Sequence, residues 1–156
     1  MPAPKIGSKV KDFRAASTSG GEFRLSDAAG RAVVLYFYPK DMTSGCTVEA
    51  GDFRDLHARF VRAGAMVLGV SRDSLASHQK FREKEKLPFH LLSDPEEKLC
   101  RQFDVIREKS LYGRKYMGIE RSTFLIDAQG VLRREWRNVK VAGHAQEVLD
   151  ALRELD

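Results

Sequence analysis

Apolar and polar positions follow two different periods along this chain. From Val33 to Tyr38 six apolar residues stand together (VVLYFY), a β-branched and aromatic run that predicts a strand covered on both faces. Pro39 has no N–H for a sheet ladder and predicts its end. From Cys46 onward the period lengthens to that of a helix. Ala50, Phe53, Leu56, Phe60 and Val61 fall on one side, and Gly64 is placed to stop it. The segment AMVLGVS that follows predicts a second strand, far enough along for a right-handed parallel crossover.

The flanking segments fill in the rest. Gly20-Gly21, between short apolar pieces, predicts an N-terminal β-hairpin. Asp73 or Ser74 caps a helix to about Lys86, with Leu75, His78 and Phe81 on one side. Residues 89–93 predict a third strand. Asp94-Pro95-Glu96-Glu97 predicts a helix start, with proline at the first position and acids that suit the dipole. That helix carries Leu99, Cys100 and Phe103. Residues 106–120 are charged and contain glycine, and are expected to form a loop. Residues 123–127 and 131–137 predict an antiparallel hairpin around Gly130. Val148, Leu149 and Leu152 stripe a last helix that begins near Gly143 or His144. Strands alternating with helices, then a hairpin and a helix, describe an α/β domain with a mixed central sheet.

Composition narrows the class. A length of 156 residues suits a single domain spanning 1–156, with 42% hydrophobic and 31% charged residues. No apolar run approaches the roughly 20 residues that cross a bilayer, and the first residues lack a secretory apolar stretch. Two cysteines without close pairing point to a reducing compartment, so the chain is expected to be cytoplasmic. The net charge is +5, with basic clusters at Arg107, Lys109, Arg114, Lys115 and Arg121 and at Arg133, Arg134, Arg137 and Lys140. Acidic residues are interspersed and no recognition motif accompanies them. A solvated face is expected rather than nucleic-acid binding. His57, His78, His90 and His144 show no metal-ligand spacing and are expected at the surface or at an interface.

Candidate chemistry centres on Cys46. In the first turn of a helix, unpaired N–H groups and the dipole favour negative charge, so a thiol there is expected to ionise more easily than a free one. A buried and inert helical cysteine is the alternative. Thr43, three residues earlier, could bring its hydroxyl to the sulfur, or merely cap the helix. Pro39 could limit water at the pocket. Arg121 precedes a strand expected to run antiparallel to the first, which brings it to the same sheet edge as Cys46. A surface ion pair with Glu120 or Asp127 is its plainer role.

Pro39, Thr43 and Cys46 spell P-x-x-x-T-x-x-C, which resembles the active-site signature of the peroxiredoxins. The string YFYPKDMTSGCTVEA is similar to the peroxiredoxin Q (bacterioferritin comigratory protein) branch, and Arg121 in GIERSTFLID matches the family's distal arginine. The resemblance covers almost the whole chain. It implies a thioredoxin-like fold, no cofactor and no metal, and a Cys46 thiolate that reduces hydrogen peroxide and organic hydroperoxides and becomes a sulfenic acid. Thr43, Arg121 and Pro39 would assist it, and the branch is often monomeric. Thioredoxin, glutaredoxin or a small thiol would then restore the enzyme.

How the cycle closes is open. Relatives carry a resolving cysteine five residues after the first or in the next helix, where this chain has Gly51 and Arg82. Cys100 is the remaining resolving candidate, or it packs beside Leu99 and Phe103. Two other classes stay in view. A thioredoxin-type disulfide carrier needs C-x-x-C, and here Thr43 stands in place of the partner sulfur. A non-enzymatic thiol redox sensor is the other.

Overall fold

The computed structural model describes residues 3–155. Its centre is a seven-stranded mixed sheet ordered β2-β1-β5-β4-β3-β8-β9. The run of apolar residues forms β3 (Ala32–Phe37), every residue of it buried, in the middle of that sheet. β3 pairs in parallel with β4 (Ala65–Ser71), and β4 in parallel with β5 (His90–Ser93). On its other side β3 pairs antiparallel with β8 (Ser122–Ile126), which pairs in turn with β9 (Leu132–Trp136). The expected N-terminal hairpin, β1 (Arg14–Ser17) and β2 (Glu22–Arg24), extends the opposite edge.

Period-2 alternation along β3 divides the core in two. Val34, Tyr36 and Tyr38 face α1 (Ser44–Arg62), α2 (Leu75–Glu85) and α4 (His144–Arg153), packing on Phe53, Phe60, Phe81 and Val148. Val33, Leu35 and Phe37 face the other way, onto Leu99, Cys100 and Phe103 around α3 (Lys98–Gln102) and onto Leu25. Each fully buried aliphatic or aromatic side chain contributes roughly 1.5–3 kcal/mol. Gly69 is required where it stands, because a Cβ there would lie 2.8 Å from Leu91 Cδ2 and 2.9 Å from the Tyr36 ring. Gly64, at a φ of 87°, ends α1 as the spacing predicts.

Three expectations need correction. Residues 106–120 are not a loop: β6 (Ile106–Leu111) and β7 (Arg114–Ile119) form a separate two-stranded ribbon. Neither face of its outer part is covered, so no apolar alternation marks it. Its turn, Tyr112-Gly113, has both residues at positive φ, as a tight hairpin demands. The helix expected from Asp94-Pro95 begins later, at Lys98. Asp94 still caps it at a distance, its carboxylate accepting from the N–H groups of Leu99 and Cys100. Val61, placed on the apolar side of α1, is exposed. Among the described residues no helix is long and apolar enough to cross a membrane.

Candidate active site

The turn between β3 and α1 carries the site. Pro39 is half-buried where the strand ends, and Met42 adopts a left-handed φ of 64° to send the chain into the helix. Thr43 is the N-cap residue, yet it does not cap with its side chain. Its hydroxyl instead donates to the Lys40 carbonyl at 2.8 Å, which leaves the oxygen lone pairs free to accept. Cys46 is the third residue of α1. The N–H groups at such a helix start have no carbonyl behind them and carry the positive end of the dipole.

β8 runs antiparallel to β3, pairing Phe37 with Ser122, so Arg121 arrives at the edge where β3 ends. Arg121 Nη2 lies 3.4 Å from Cys46 Sγ, which places a permanent positive charge on the sulfur. Neither Glu120 nor Asp127 is its ion-pair partner. Arg121 Nη1 instead donates to Glu49 Oε1 at 2.6 Å. Sequence reasoning missed Glu49, and the available signal was its position: one turn along α1 from Cys46, a carboxylate on the buried face. Burial pushes the Glu49 carboxyl up to about 7, against the pull of Arg121. Gly45 lets the guanidinium approach, since a Cβ there would lie 3.2 Å from Nη2. Lys109 of β6 lends further charge. Its ammonium donates to Ile119 O at 2.5 Å, and burial, then the Arg121 charge, draw it below its ordinary value.

A buried hydrogen-bond network fixes the turn from behind. Asp41 accepts from Tyr38 Oη at 2.6 Å and Ser77 Oγ at 2.8 Å, and its N–H donates to Asp73 at 2.9 Å. His78 lies 2.7 Å from Asp41 Oδ2 through Nδ1 and 2.9 Å from Leu92 O through Nε2. Both ring nitrogens are thereby engaged, which fixes the orientation of the imidazole against the turn. Among the described residues, Asp41, Asp73 and His78 lie close enough together to hold a metal ion, and their inward atoms are engaged with one another and with Ser71 and Ser77. His78 and His144 were expected at the surface or an interface, and both are buried. His144 Nε2 pairs with Thr123 Oγ1 at 2.8 Å, and burial brings the ring down to about 4. His78 lies on the side of α2 that the spacing gave to Leu75 and Phe81, and its buried partners explain why it sits there.

Cys100 does not join this group. It packs with Val33, Leu35 and Phe37 on one side of the sheet, whereas Cys46 packs with Val34 and Tyr36 on the other. Burial, then the nearby Asp94 carboxylate, push the Cys100 thiol far above its ordinary value. The resolving candidate is therefore a core residue with the sheet between it and Cys46.

The chain as a whole is similar to known proteins. The model of the AhpC/TSA family matches residues 6–135. Peroxiredoxin Bcp of Bacillus subtilis (strain 168) is 52% identical over 151 residues, covering 97% of this chain and 96% of that protein. A mutant structure of Xylella fastidiosa PrxQ superposes with a TM-score of 0.91 at 42% identity, covering 97% of each chain. Structures of the Xanthomonas campestris bacterioferritin comigratory protein, which address its alkyl peroxide reduction activity, include one that superposes with a TM-score of 0.87. It is 48% identical and covers 96% of this chain and 95% of that one. The thioredoxin-like fold and the enzyme class expected from the sequence both hold: this chain belongs to the AhpC/TSA family as a peroxiredoxin of the Bcp/PrxQ kind, a thiol-dependent peroxidase.

Proposed function

We propose that Cys46 is the peroxidatic nucleophile and that it works without a resolving cysteine in the same chain. The observation that carries this reading is the 3.4 Å contact between Arg121 Nη2 and Cys46 Sγ at a helix N-terminus. As a thiolate, Cys46 attacks one peroxide oxygen and the O–O bond breaks. The other oxygen leaves as hydroxide or alkoxide and takes a proton, and the sulfur becomes a sulfenic acid. Arg121 and the N–H groups at the start of α1 offer donors where charge spreads over sulfur and both oxygens. The Thr43 oxygen, already donating its own proton to Lys40, accepts the peroxide O–H and holds the molecule in line. Pro39 closes the turn around that position.

Hydrogen peroxide and alkyl hydroperoxides both fit this chemistry, the latter supported by the relative's alkyl peroxide reduction. With Cys100 across the sheet, an external thiol reduces the sulfenate: thioredoxin, glutaredoxin or a low-molecular-weight thiol. Two free, separated cysteines suit a reducing, cytoplasmic setting. The disulfide-carrier alternative lacks a second sulfur beside Cys46. A purely sensory thiol is the reading that the enzyme class disfavours. The test is dithiothreitol-supported peroxide consumption. Cys46→Ser loses it and Cys100→Ser keeps it. Full turnover in Cys46→Ser would remove Cys46 from the reaction.

A further inference from the structure

Two acids compete for one base at this site. Arg121 gives Nη1 to Glu49 and Nη2 to Cys46, and the Glu49 side chain is 98% removed from solvent, with a relative exposure of 2%. Its second oxygen, Oε2, has no protein hydrogen-bond partner, and neither has the Tyr36 hydroxyl, the other such buried side-chain atom among the described residues. An ionised Glu49 therefore leaves one charged carboxylate oxygen uncompensated in an apolar core, which costs more than the unpaired group of a neutral carboxyl. If sulfur and carboxylate are both charged, two buried anions draw on a single guanidinium.

We propose that Glu49 is a positioning residue that regulates the Arg121 guanidinium: neutral Glu49 releases it to the Cys46 sulfur and the incoming peroxide, and ionised Glu49 holds it back. The proposal rests on the assignment of Cys46 and Arg121 above. Sulfur 46 and carboxylate 49 then share one cation rather than having separate partners. The coupling is reciprocal. A negative sulfur disfavours ionisation of Glu49, and loss of that charge, as when the sulfur becomes a neutral sulfenic acid, favours it.

The charges facing Glu49 agree with this picture. Arg121 approaches from the start of β8 and is the cation that draws the carboxyl down. From α1, Asp52 adds a like charge that raises it. Tyr36, facing it from β3, is buried, and burial raises that phenol well above its ordinary value, so it supplies no counter-charge. Lys109 on β6 and His144 on α4 both feel the Arg121 charge, and burial keeps the His144 imidazole neutral at ordinary pH. Arg121 is thus the one strong partner that carboxylate and sulfur have in common.

The experiment measures the second-order rate of Cys46 oxidation by hydrogen peroxide across pH, divided by the thiolate fraction read from ultraviolet absorbance with Cys46→Ser as blank. In the wild type the rate per thiolate should fall several-fold as pH rises through about 7, where Glu49 ionises. Glu49→Gln keeps a neutral, similarly shaped side chain, and its rate per thiolate should stay level. The same fall in Glu49→Gln would overturn the proposal. Arg121→Ala separates this failure from failure of the underlying assignment. A wild-type rate there removes Arg121 from the reaction, whereas a slow Arg121→Ala beside an unaltered pH limb in Glu49→Gln sinks the Glu49 role alone. Should Glu49→Gln not fold, carboxyl NMR on the native chain answers the same question. The Glu49 titration should move to lower pH in Cys46→Ser, and identical titrations in the two proteins would overturn the coupling.

Discussion

Cys46 and Cys100 lie on opposite faces of the seven-stranded sheet, one packed under α1 against Tyr36 and the other beside Phe103 against Leu35. A disulfide needs Cα atoms within about 7 Å, and here β3 and its neighbours intervene. After one equivalent of hydrogen peroxide, intact mass should therefore rise by one oxygen atom rather than fall by two hydrogens. Cys100→Ser should retain turnover with every reductant that supports the wild type. An intramolecular disulfide in the singly oxidised protein would reverse both expectations.

Arg121→Ala should slow Cys46 oxidation by roughly 100- to 1,000-fold, the range seen when a preorganised donor is removed from a developing anion. Arg121→Lys should recover little of it. Lysine is a point charge and cannot bridge Glu49 and the sulfur with two nitrogens of one planar group. Stopped-flow oxidation of the reduced enzyme checks both, and a wild-type rate in the alanine variant would refute the role.

Gly45→Ala isolates the geometry of that contact. The new methyl would lie 3.2 Å from Arg121 Nη2, so the flexible end of the arginine must shift by a few tenths of an ångström. Alanine is at least as good as glycine in a helix, so stability should hold or rise by up to about 1 kcal/mol. Oxidation should slow by roughly 3- to 10-fold, less than the ~100-fold that a full 1 Å misplacement can cost. Unchanged kinetics with a displaced arginine would show that the 3.4 Å contact is dispensable.

Much of this was legible in the residues. Burial on both faces made β3 obvious, and Pro39 and Gly64 marked where strand and helix stop. The strand after Arg121 was expected antiparallel to β3, and β8 is, which brings Cys46 and Arg121 to one edge. What stayed hidden was set by partners distant in sequence. Glu49 sits on the buried face one turn from Cys46, and only the arrival of Arg121 from β8 gives that carboxyl its partner. Asp41 and His78 become a buried pair only when α2 is laid against the turn. The β6–β7 ribbon escaped because its strands have no core to alternate against.

Asp41→Ala should be among the more destabilising single changes outside the aromatic core. It removes the acceptor of Tyr38, Ser77 and His78 together and leaves the buried Tyr38 hydroxyl and the buried His78 ring without that partner. Each buried polar group left without its partner costs about 1–3 kcal/mol. The turn from Pro39 to Thr43 also loses its anchor to α2, so peroxide turnover should fall beyond what the unfolded fraction explains. Urea denaturation and turnover of the folded fraction together check this, and a loss below about 1 kcal/mol would mean that Asp41 does not anchor the turn.

Stability against pH should expose two buried groups that work in opposite directions. His144 is neutral in the native core, held down to about 4 from an ordinary 6.5. As pH falls from 6.5 towards 4 the unfolded chain takes up a proton that the native state refuses, so stability is lost on acidification. Glu49 is raised from 4.5 to about 7, so the native state keeps a proton that the unfolded chain has released, and stability is lost as pH rises through that window. Each contributes up to roughly 3 kcal/mol at about 1.4 kcal/mol per pH unit. Between 4.5 and 6.5 the two slopes oppose each other, and this part of the wild-type profile should be nearly flat. His144→Gln should uncover a stability that falls with pH across that interval, and Glu49→Gln one that rises. Urea midpoints measured under reducing conditions separate the three proteins, and parallel profiles would mean that neither group changes its proton affinity on folding.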